Sequence, residues 1–193
     1  NLEEKEILRA TAETASENSI DGIFSPLFWI FIGTMSWKFS LSAPGPLAFA
    51  LAFKASSTLD SMIGYRTGKL KWLGESSARL DDCLNFVPCR VVLVTLPLIS
   101  EKWNSYFSII KKALNESKDY LSPNAGLSEA IFANCANTKM GGDNYYNKKI
   151  ISKPILGKEY PSANKKNIKT ILNLTLRLEI IWTLIIVLII YFA

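Results

Sequence analysis

The stretch ILNLTLRLEIIWTLIIVLIIYFA, residues 171–193, decides the fold class. Its last fourteen residues carry no charge and only Thr183 as a strongly polar side chain, and adding residues 174–179 brings it to the roughly 20 that a bilayer-crossing helix needs. Arg177 and Glu179 then fall near one interface, where the arginine head can reach water. Three further apolar blocks precede it, at 20–37, 41–53 and 87–99. The first two are separated by Lys38 and interrupted by Pro26, Gly33, Pro44, Gly45 and Pro46, which predicts one broken span or a helical hairpin in the membrane. The third has Arg90 near its start and Pro97 inside it, leaving a run short enough to predict a re-entrant or protein-buried segment.

No alternating pattern of strand period is sustained anywhere, so the expected class is an all-α, polytopic membrane protein with polar loops between apolar helices. It is expected to be a single membrane domain over 1–193, closed by the transmembrane helix 171–193. Residues 101–170 hold twelve Lys against six acidic residues, an excess that predicts a cytoplasmic location for this segment. Within it, Trp103, Phe107, Ile110 and Leu114 recur at helical spacing, which predicts an amphipathic helix lying on the membrane or on a partner helix. The Gly, Asn and Lys content of 138–167 predicts irregular loop.

Composition agrees with this reading and removes several alternatives. The 193 residues are 49% hydrophobic and 20% charged, with a net charge of +5. A mean hydropathy of +0.16 alongside so many charges requires the apolar residues to be clustered, and it excludes disordered, collagen-like and disulfide-scaffold classes. The chain has no His, which removes Ser-His and Cys-His dyads and every zinc site that needs an imidazole. Cys83, Cys89 and Cys135 are odd in number and lack C-x-x-C spacing, so reduced structural thiols are expected. The pI near 9.1 comes largely from scattered lysines without an aromatic-basic signature, so no nucleic-acid partner is expected. The charged helical pattern that opens the chain at Asn1 has no basic leader or cleavage site, and it predicts that further sequence precedes it.

Three polar clusters remain as candidates for chemistry. Glu13, Glu17 and Asp21 are spaced i, i+4, i+8, so three carboxylates share one helical face and repel one another unless a divalent ion or an ammonium group relieves them. A solvated acidic face accounts for the same spacing. The second cluster runs from Lys54 through TLDSMIGY (58–65) to ARLDDCLNFVPCR (78–90). Its Asp, Asn, Arg and Lys side chains lie between apolar blocks and cannot easily face lipid, so they either satisfy one another or line a polar cavity for a charged ligand. The third is SPNAGLSEA (122–130) followed by GGDNYY (141–146), with turn chemistry at Ser122-Pro123-Asn124 and Ser128 placed to cap a helix opening at Glu129. A plain loop explains it equally, and neither a P-loop nor a dinucleotide fingerprint occurs.

Taken in order, these motifs resemble the CobD/CbiB family, the adenosylcobinamide-phosphate synthases of cobalamin (vitamin B12) biosynthesis. ETASENSIDG (13–22) with SPLF (25–28) is similar to the family's E-T-x-x-E-N-x-x-D-G and P-L-F stretch, and Lys54 with TLDSMIGY (58–65) to its K-x-x-N-T-L-D-S-M-x-G-Y motif. ARLDD (78–82) with Asn85, Pro88 and Arg90, then SPNAG (122–126) with Glu129 and Ala130, match the next two, and the order continues through Gly141, Gly142, Tyr145, Pro154 and Gly157. The resemblance covers nearly all of this chain but only the larger, C-terminal part of a family member. Ser57 stands where the family usually has Asn, and Leu127-Ser128 replaces a common Trp-Pro.

The resemblance implies an ATP-dependent acid–amine ligase that joins 1-amino-2-propanol, or its O-phosphate, to a propionate carboxylate of adenosylcobyric acid, giving adenosylcobinamide or its phosphate. It implies ATP and Mg²⁺ as cofactors. The corrinoid, the amino alcohol and membrane lipid are the implied partners, with contact to other corrin-pathway enzymes. The location implied is the cell (inner or plasma) membrane, multi-pass, with active-site loops in the cytoplasm. Asp60, Asp81, Asp82 and Lys54 are the expected catalytic residues. Asp60 and Asp82, with Glu13, Glu17 and Asp21, are the expected Mg²⁺ ligands. Expected substrate contacts are Asn18, Ser61, Tyr65, Arg79, Asn85 and Arg90 in the earlier motifs. In the later ones they are Asn124, Gly126, Glu129, Gly141, Gly142 and Tyr145. A membrane protein that binds or passes a corrinoid or amino alcohol without bond formation would use the same polar cavity.

The terminal helix has no amphipathic alternative, so the chain is expected to partition wholly into membranes or detergent. Sedimentation after carbonate extraction checks this, and a detergent-free soluble monomer would contradict the class.

Overall fold

A computed structural model of the chain describes residues 3–40, 43–64, 71–146 and 149–192. Seven α-helices and one β-hairpin are present among them: α1 (Glu4–Asn18), α2 (Ser25–Phe39), α3 (Pro46–Ile63), α4 (Lys71–Ile99), α5 (Tyr106–Glu116), α6 (Ala125–Ala136), β1 (Met140–Tyr146), β2 (Lys149–Leu156) and α7 (Lys165–Phe192). A π-helical turn, Ser19–Phe24, links α1 to α2. The helical run Glu4–Phe39 and the helices α4 and α7 are each long and apolar enough to cross a membrane. The helical membrane class expected from the sequence is therefore correct. None of the three cysteines is in a disulfide, and Cys89 and Cys135 are buried.

The chain forms two compact units, one of residues 1–20 and 89–178, the other of 21–88 and 179–193. In the first, α6 is the central rod. Residues 126–136 are all buried, because the sequence AGLSEAIFANCA is small or apolar apart from Glu129 and Asn134, both of which have hydrogen-bond partners. Ala12 and Ser16 of α1, Ile20 of the π-helical turn, Ile109 and Ala113 of α5, and Val92, Leu93 and Leu96 of α4 complete this core. Ser19 and Thr175 hydroxyls meet at 2.6 Å, and Thr175 also bonds back to the Ile171 carbonyl.

Two expectations for this region are corrected. Residues 138–167 are not irregular throughout: β1 and β2 pair antiparallel from Met140 opposite Leu156 to Tyr146 opposite Lys149, with a bulge between Met140 and Gly142. The strand pattern is hidden in the sequence because the buried pair Met140 and Leu156 is flanked by glycines, lysines and a proline, which blur the alternation. Ser128 does not cap a helix opening at Glu129. The helix α6 begins four residues earlier, at Ala125, where the Ser122 hydroxyl accepts from the Asn124 and Ala125 N–H groups, and Ser128 turns back onto the Asn124 and Ala125 carbonyls.

The expected stripe on α5 also faces outward. Trp103 and Phe107 are 67% and 82% exposed, whereas the helix turns Ile109 and Ala113 inward. The third apolar block is not a short separate segment but the end of the 29-residue α4, which runs unbroken through Pro88 and Pro97. At about 1.5 Å per residue that length suffices to span a membrane.

In the second unit α2 and α3 form the expected helical hairpin. Pro46 opens α3 at the position where a missing N–H costs nothing, and Trp29 stacks on Phe49 with centroids 6.2 Å apart. The Trp29 indole also donates to the Leu84 carbonyl at 3.1 Å, and Phe24 meets Trp182 edge to face. Gly33 is what lets the two helices close: a Cβ there would lie 2.8 Å from the Pro46 Cα and 2.9 Å from the Phe49 ring. Gly33→Leu is expected to destabilise the protein by roughly 1–3 kcal/mol, with Gly33→Ala smaller in the same direction. Thermal unfolding in detergent reads this as a lowered midpoint.

Candidate functional site

The first unit buries two carboxylates around one ammonium. Glu13 comes from the inward face of α1 and Glu129 from the first turns of α6, where it is 1% exposed. Lys153, on β2 opposite the bulge, lies 3.4 Å from Glu13 Oε2 and 3.4 Å from Glu129 Oε1. Tyr120 donates its hydroxyl to Glu129 Oε2 at 3.1 Å. The other Glu13 oxygen accepts from the Gly141 N–H at 2.9 Å, and the Arg9 guanidinium is 3.8 Å from it. Arg9 also donates to the Asp143 carbonyl, which joins α1 to the hairpin a second time.

Two glycines make this geometry possible. Gly141 has φ +75 and a Cβ there would collide with the Pro154 carbonyl oxygen, so only glycine presents its N–H to Glu13 from that bulge. At Gly126 a Cβ would overlap the Tyr120 ring, so its absence lets the ring lie flat on α6 and reach Glu129. The charges set unequal titrations. Burial is the largest influence on Glu129 and raises its carboxyl to about 7, with Lys153 opposing and Glu13 and Glu17 adding to the rise. Burial also pushes the Tyr120 hydroxyl well above its ordinary range, reinforced by Glu129. For Lys153 burial acts downward, but the two carboxylates outweigh it and hold the ammonium above its usual value. The result is a carboxyl able to take or give a proton near neutrality beside a fixed positive charge.

A second polar group in this unit joins α4 to the α6 entry. Arg90 donates to the Asn124 side-chain oxygen and to the Pro123 carbonyl, and the Cys89 thiol faces the Asn124 carbonyl at 3.6 Å. Of the residues expected from sequence, Glu13, Glu17, Asn18, Arg90, Asn124, Gly126, Glu129, Gly141, Gly142 and Tyr145 belong to this unit. Glu13, Glu129 and Gly141 are brought together. Asn18 is exposed on α1. Lys153 and Tyr120 were missed; the only signal for Lys153 was a single charge inside the apolar run IISKPIL (150–156).

The second unit holds Asp21, Lys54, Asp60, Ser61, Arg79, Asp81, Asp82 and Asn85, and Tyr65 lies outside the described residues. Asn85 is 1% exposed and donates to Asp81 Oδ2 at 3.0 Å, one helical turn away. Arg79 instead pairs with Glu75 on its own helix at 2.6 Å, and Ser61 bonds back to the Ser57 carbonyl. Asp60 and Asp82 are half-buried on α3 and α4, and Lys54 is exposed. Among the described residues no three Asp, Glu or Cys side chains come together as a metal site. Glu13 is engaged by Lys153 and Gly141.

The Glu129 titration has a stability consequence. Its folded value lies above the ordinary carboxyl value of 4.5, so the folded state holds more protons than the unfolded one between about 4.5 and about 7. Its contribution is complete below 4.5 and is lost as pH rises through 7. Glu129→Gln is expected to flatten this fall, and denaturant unfolding of both proteins at about pH 5 and about pH 8 measures it.

The comparisons with known proteins bear on the whole chain. It is 45% identical over 157 residues to a protein named "Cobalamin biosynthesis protein CobD" from Synechocystis sp., covering 81% of this chain and 44% of that one. A protein of the same name from Clostridium acetobutylicum is 35% identical over 193 residues, 99% of this chain and 57% of that one. The one from Streptococcus sanguinis is 34% identical over 177 residues, 90% and 51%. The chain thus spans about half the length of these curated relatives. No solved structure gives a significant match. The family model described as CobD/Cbib protein matches residues 1–175, a stretch that contains Glu13, Glu129, Lys153 and the bulge that joins them, and the chain belongs to the CobD/CbiB family.

Proposed function

We propose that the protein acts in cobalamin biosynthesis as an acid–amine ligase, joining 1-amino-2-propanol or its O-phosphate to a propionate carboxylate of adenosylcobyric acid. Family membership supports the pathway. The observation that carries the chemistry is the buried Glu129–Lys153–Glu13 group, because amide formation from an ammonium needs a base that works near neutral pH beside a cation that tolerates the reacting carboxylate.

In this reading Glu129 accepts the proton that the substrate ammonium must lose before its nitrogen can attack, and Tyr120 keeps that carboxylate oriented. Lys153 offsets the negative charge that develops on the carboxyl oxygen during attack. Arg90 and Asn124 supply a guanidinium and an amide of the kind that hold propionate and amide groups on a corrin rim. ATP supplies the activation of the carboxylate, and Mg²⁺ enters on its phosphates, since such ions are commonly held by substrate oxygens with only one or two carboxylates. Asp60, Asp81, Asp82 and Lys54 keep their expected catalytic role in this proposal. A plasma-membrane location with the polar loops in the cytoplasm completes it, as ATP and the lysine excess both belong there.

The test is turnover. Protein carrying this chain, purified in detergent with adenosylcobyric acid, aminopropanol phosphate and Mg-ATP, is expected to form the amide and ADP in equal amounts; substrate binding without product would favour a carrier. Asp60→Asn, Asp82→Asn and Glu129→Gln each keep side-chain shape while removing a charge, and each is expected to cost at least about 100-fold in kcat with membrane insertion unchanged. Wild-type turnover in any of the three removes that residue from the chemistry.

A further inference from the structure

A cavity of about 600 Å³ lies in the first unit between the α4–α5 connection and the turn at Glu159 and Tyr160, apart from the Glu13–Lys153–Glu129 group. That volume is ordinary for a small-molecule site. Its wall contains both non-glycine residues of the described chain with positive φ, Glu101 at 60° and Asn137 at 52°. A residue held in that sparsely populated region costs stability, and two on one cavity are a reason to ask what the wall is shaped for.

Lys102 is the centre of it. Its ammonium donates to the Asn134 carbonyl at 2.9 Å and to Asn137 Oδ1 at 2.6 Å, and lies 6.0 Å from the centroid of the Tyr160 ring. Two of its three N–H groups are therefore spent on fixing its position, and one remains. Those two partners are neutral. The nearby Cys135 thiol is pushed up to about 11 by burial and carries no charge, while burial holds Lys102 below its usual value. The acidic wall residues are matched elsewhere: Glu159 pairs with Lys112, and Glu101 with Arg177 at 3.0 Å. The exposed hydroxyl-bearing residues Ser105 and Ser108 line the same wall at the start of α5.

We infer that this cavity binds the phosphate of a phosphate ester, with Lys102 as its fixed cation and the Ser105 and Ser108 hydroxyls as its neutral donors. An anion there relieves the Lys102 ammonium, whose two hydrogen-bond partners are neutral. Two sources carry this chemistry: a soluble phosphate ester such as a nucleotide, or the headgroup of an anionic lipid reached past the exposed Trp103 rim. The inference rests on the ligase reading only for ATP as a probe, since phosphate binding is measured without turnover and either can fail alone.

The chain is purified in maltoside detergent, and retention of radiolabelled pyrophosphate and ATP is measured by equilibrium dialysis. In parallel, phosphatidylglycerol kept through delipidation is measured by native mass spectrometry. Lys102→Met removes the cation. Ser108→Asp puts a negative charge on the exposed wall without breaking a hydrogen bond of Lys102, and Lys165→Met is a charge control on an exposed site. Binding of pyrophosphate or ATP that falls at least about tenfold in the first two variants and not in the third, at unchanged unfolding midpoints, supports a soluble phosphate ester. Retention of phosphatidylglycerol with the same dependence supports the lipid headgroup. Absence of binding by the wild type to all three probes, or binding indifferent to both Lys102→Met and Ser108→Asp, overturns the inference.

Discussion

The first unit depends on a single ammonium placed between two buried carboxylates. A lone buried carboxylate in an apolar helical core costs several kcal/mol, and two of them near each other cost more. Lys153 makes the arrangement tolerable by touching both, and it can do so only because the hairpin bulge sets its strand opposite Gly142 while Gly141 hands its N–H to Glu13. The α1 face, the α6 entry and the hairpin are therefore fastened at one point by charge. A neutral core of the same volume would hold them as well, so the charged version is explained by use rather than by stability. The raised Glu129 titration is the trace of that compromise: burial favours the neutral acid, and Lys153 and Tyr120 pull it back toward the anion.

Around that point the unit uses polar side chains to join elements that share little apolar surface. Glu116 illustrates this, accepting from the Gly157 N–H and from the Asn134 amide, so that the end of α5, the last turn of α6 and the end of β2 converge on one carboxylate. Asn167 does the same at the start of α7 by reaching the Ala136 carbonyl. The second unit is built differently. Its fastening is aromatic, with Trp29 shared between Phe49 and the Leu84 carbonyl, and its helices leave Leu47, Leu51 and Leu184 exposed in the manner of a lipid-facing surface.

Hydropathy made the class legible because an apolar run long enough to span, such as 180–193 with the turns before it, has no continuous polar face to offer water. The α2–α3 hairpin was one of two readings open, beside a broken span, since the Pro44-Gly45-Pro46 break can hardly lie inside one straight helix. Where the sequence failed, the cause is physical. The continuous α4 was obscured because its first half is a charged amphipathic helix and its second half an apolar one, so composition changes where the backbone does not. The hairpin escaped notice because a bulge and Pro154 break the alternation on which strand detection rests. The motifs placed Glu13, Glu129 and Gly141 in the candidate site, but the Glu13–Gly141 contact joins residues 128 positions apart, and nothing local announces it. Lys153 was invisible for the converse reason, being one more lysine in a segment full of them.

The two units are not consecutive in the chain: each is assembled from an early segment and a late one, with the borders falling inside the Glu4–Phe39 run, α4 and α7. This orders events during synthesis. When the ribosome has passed α4, the α2–α3 hairpin can close, but the first unit still lacks α6 and both strands. Nor can the second unit seal before residues 179–193 emerge. The helix α7 is therefore the closing stitch for both halves at once. A nascent chain stalled before it would leave the first unit without its Ile171–Leu178 turns and the second without Trp182 against Phe24, and quality control would meet a single incomplete species rather than one finished half and one unfinished.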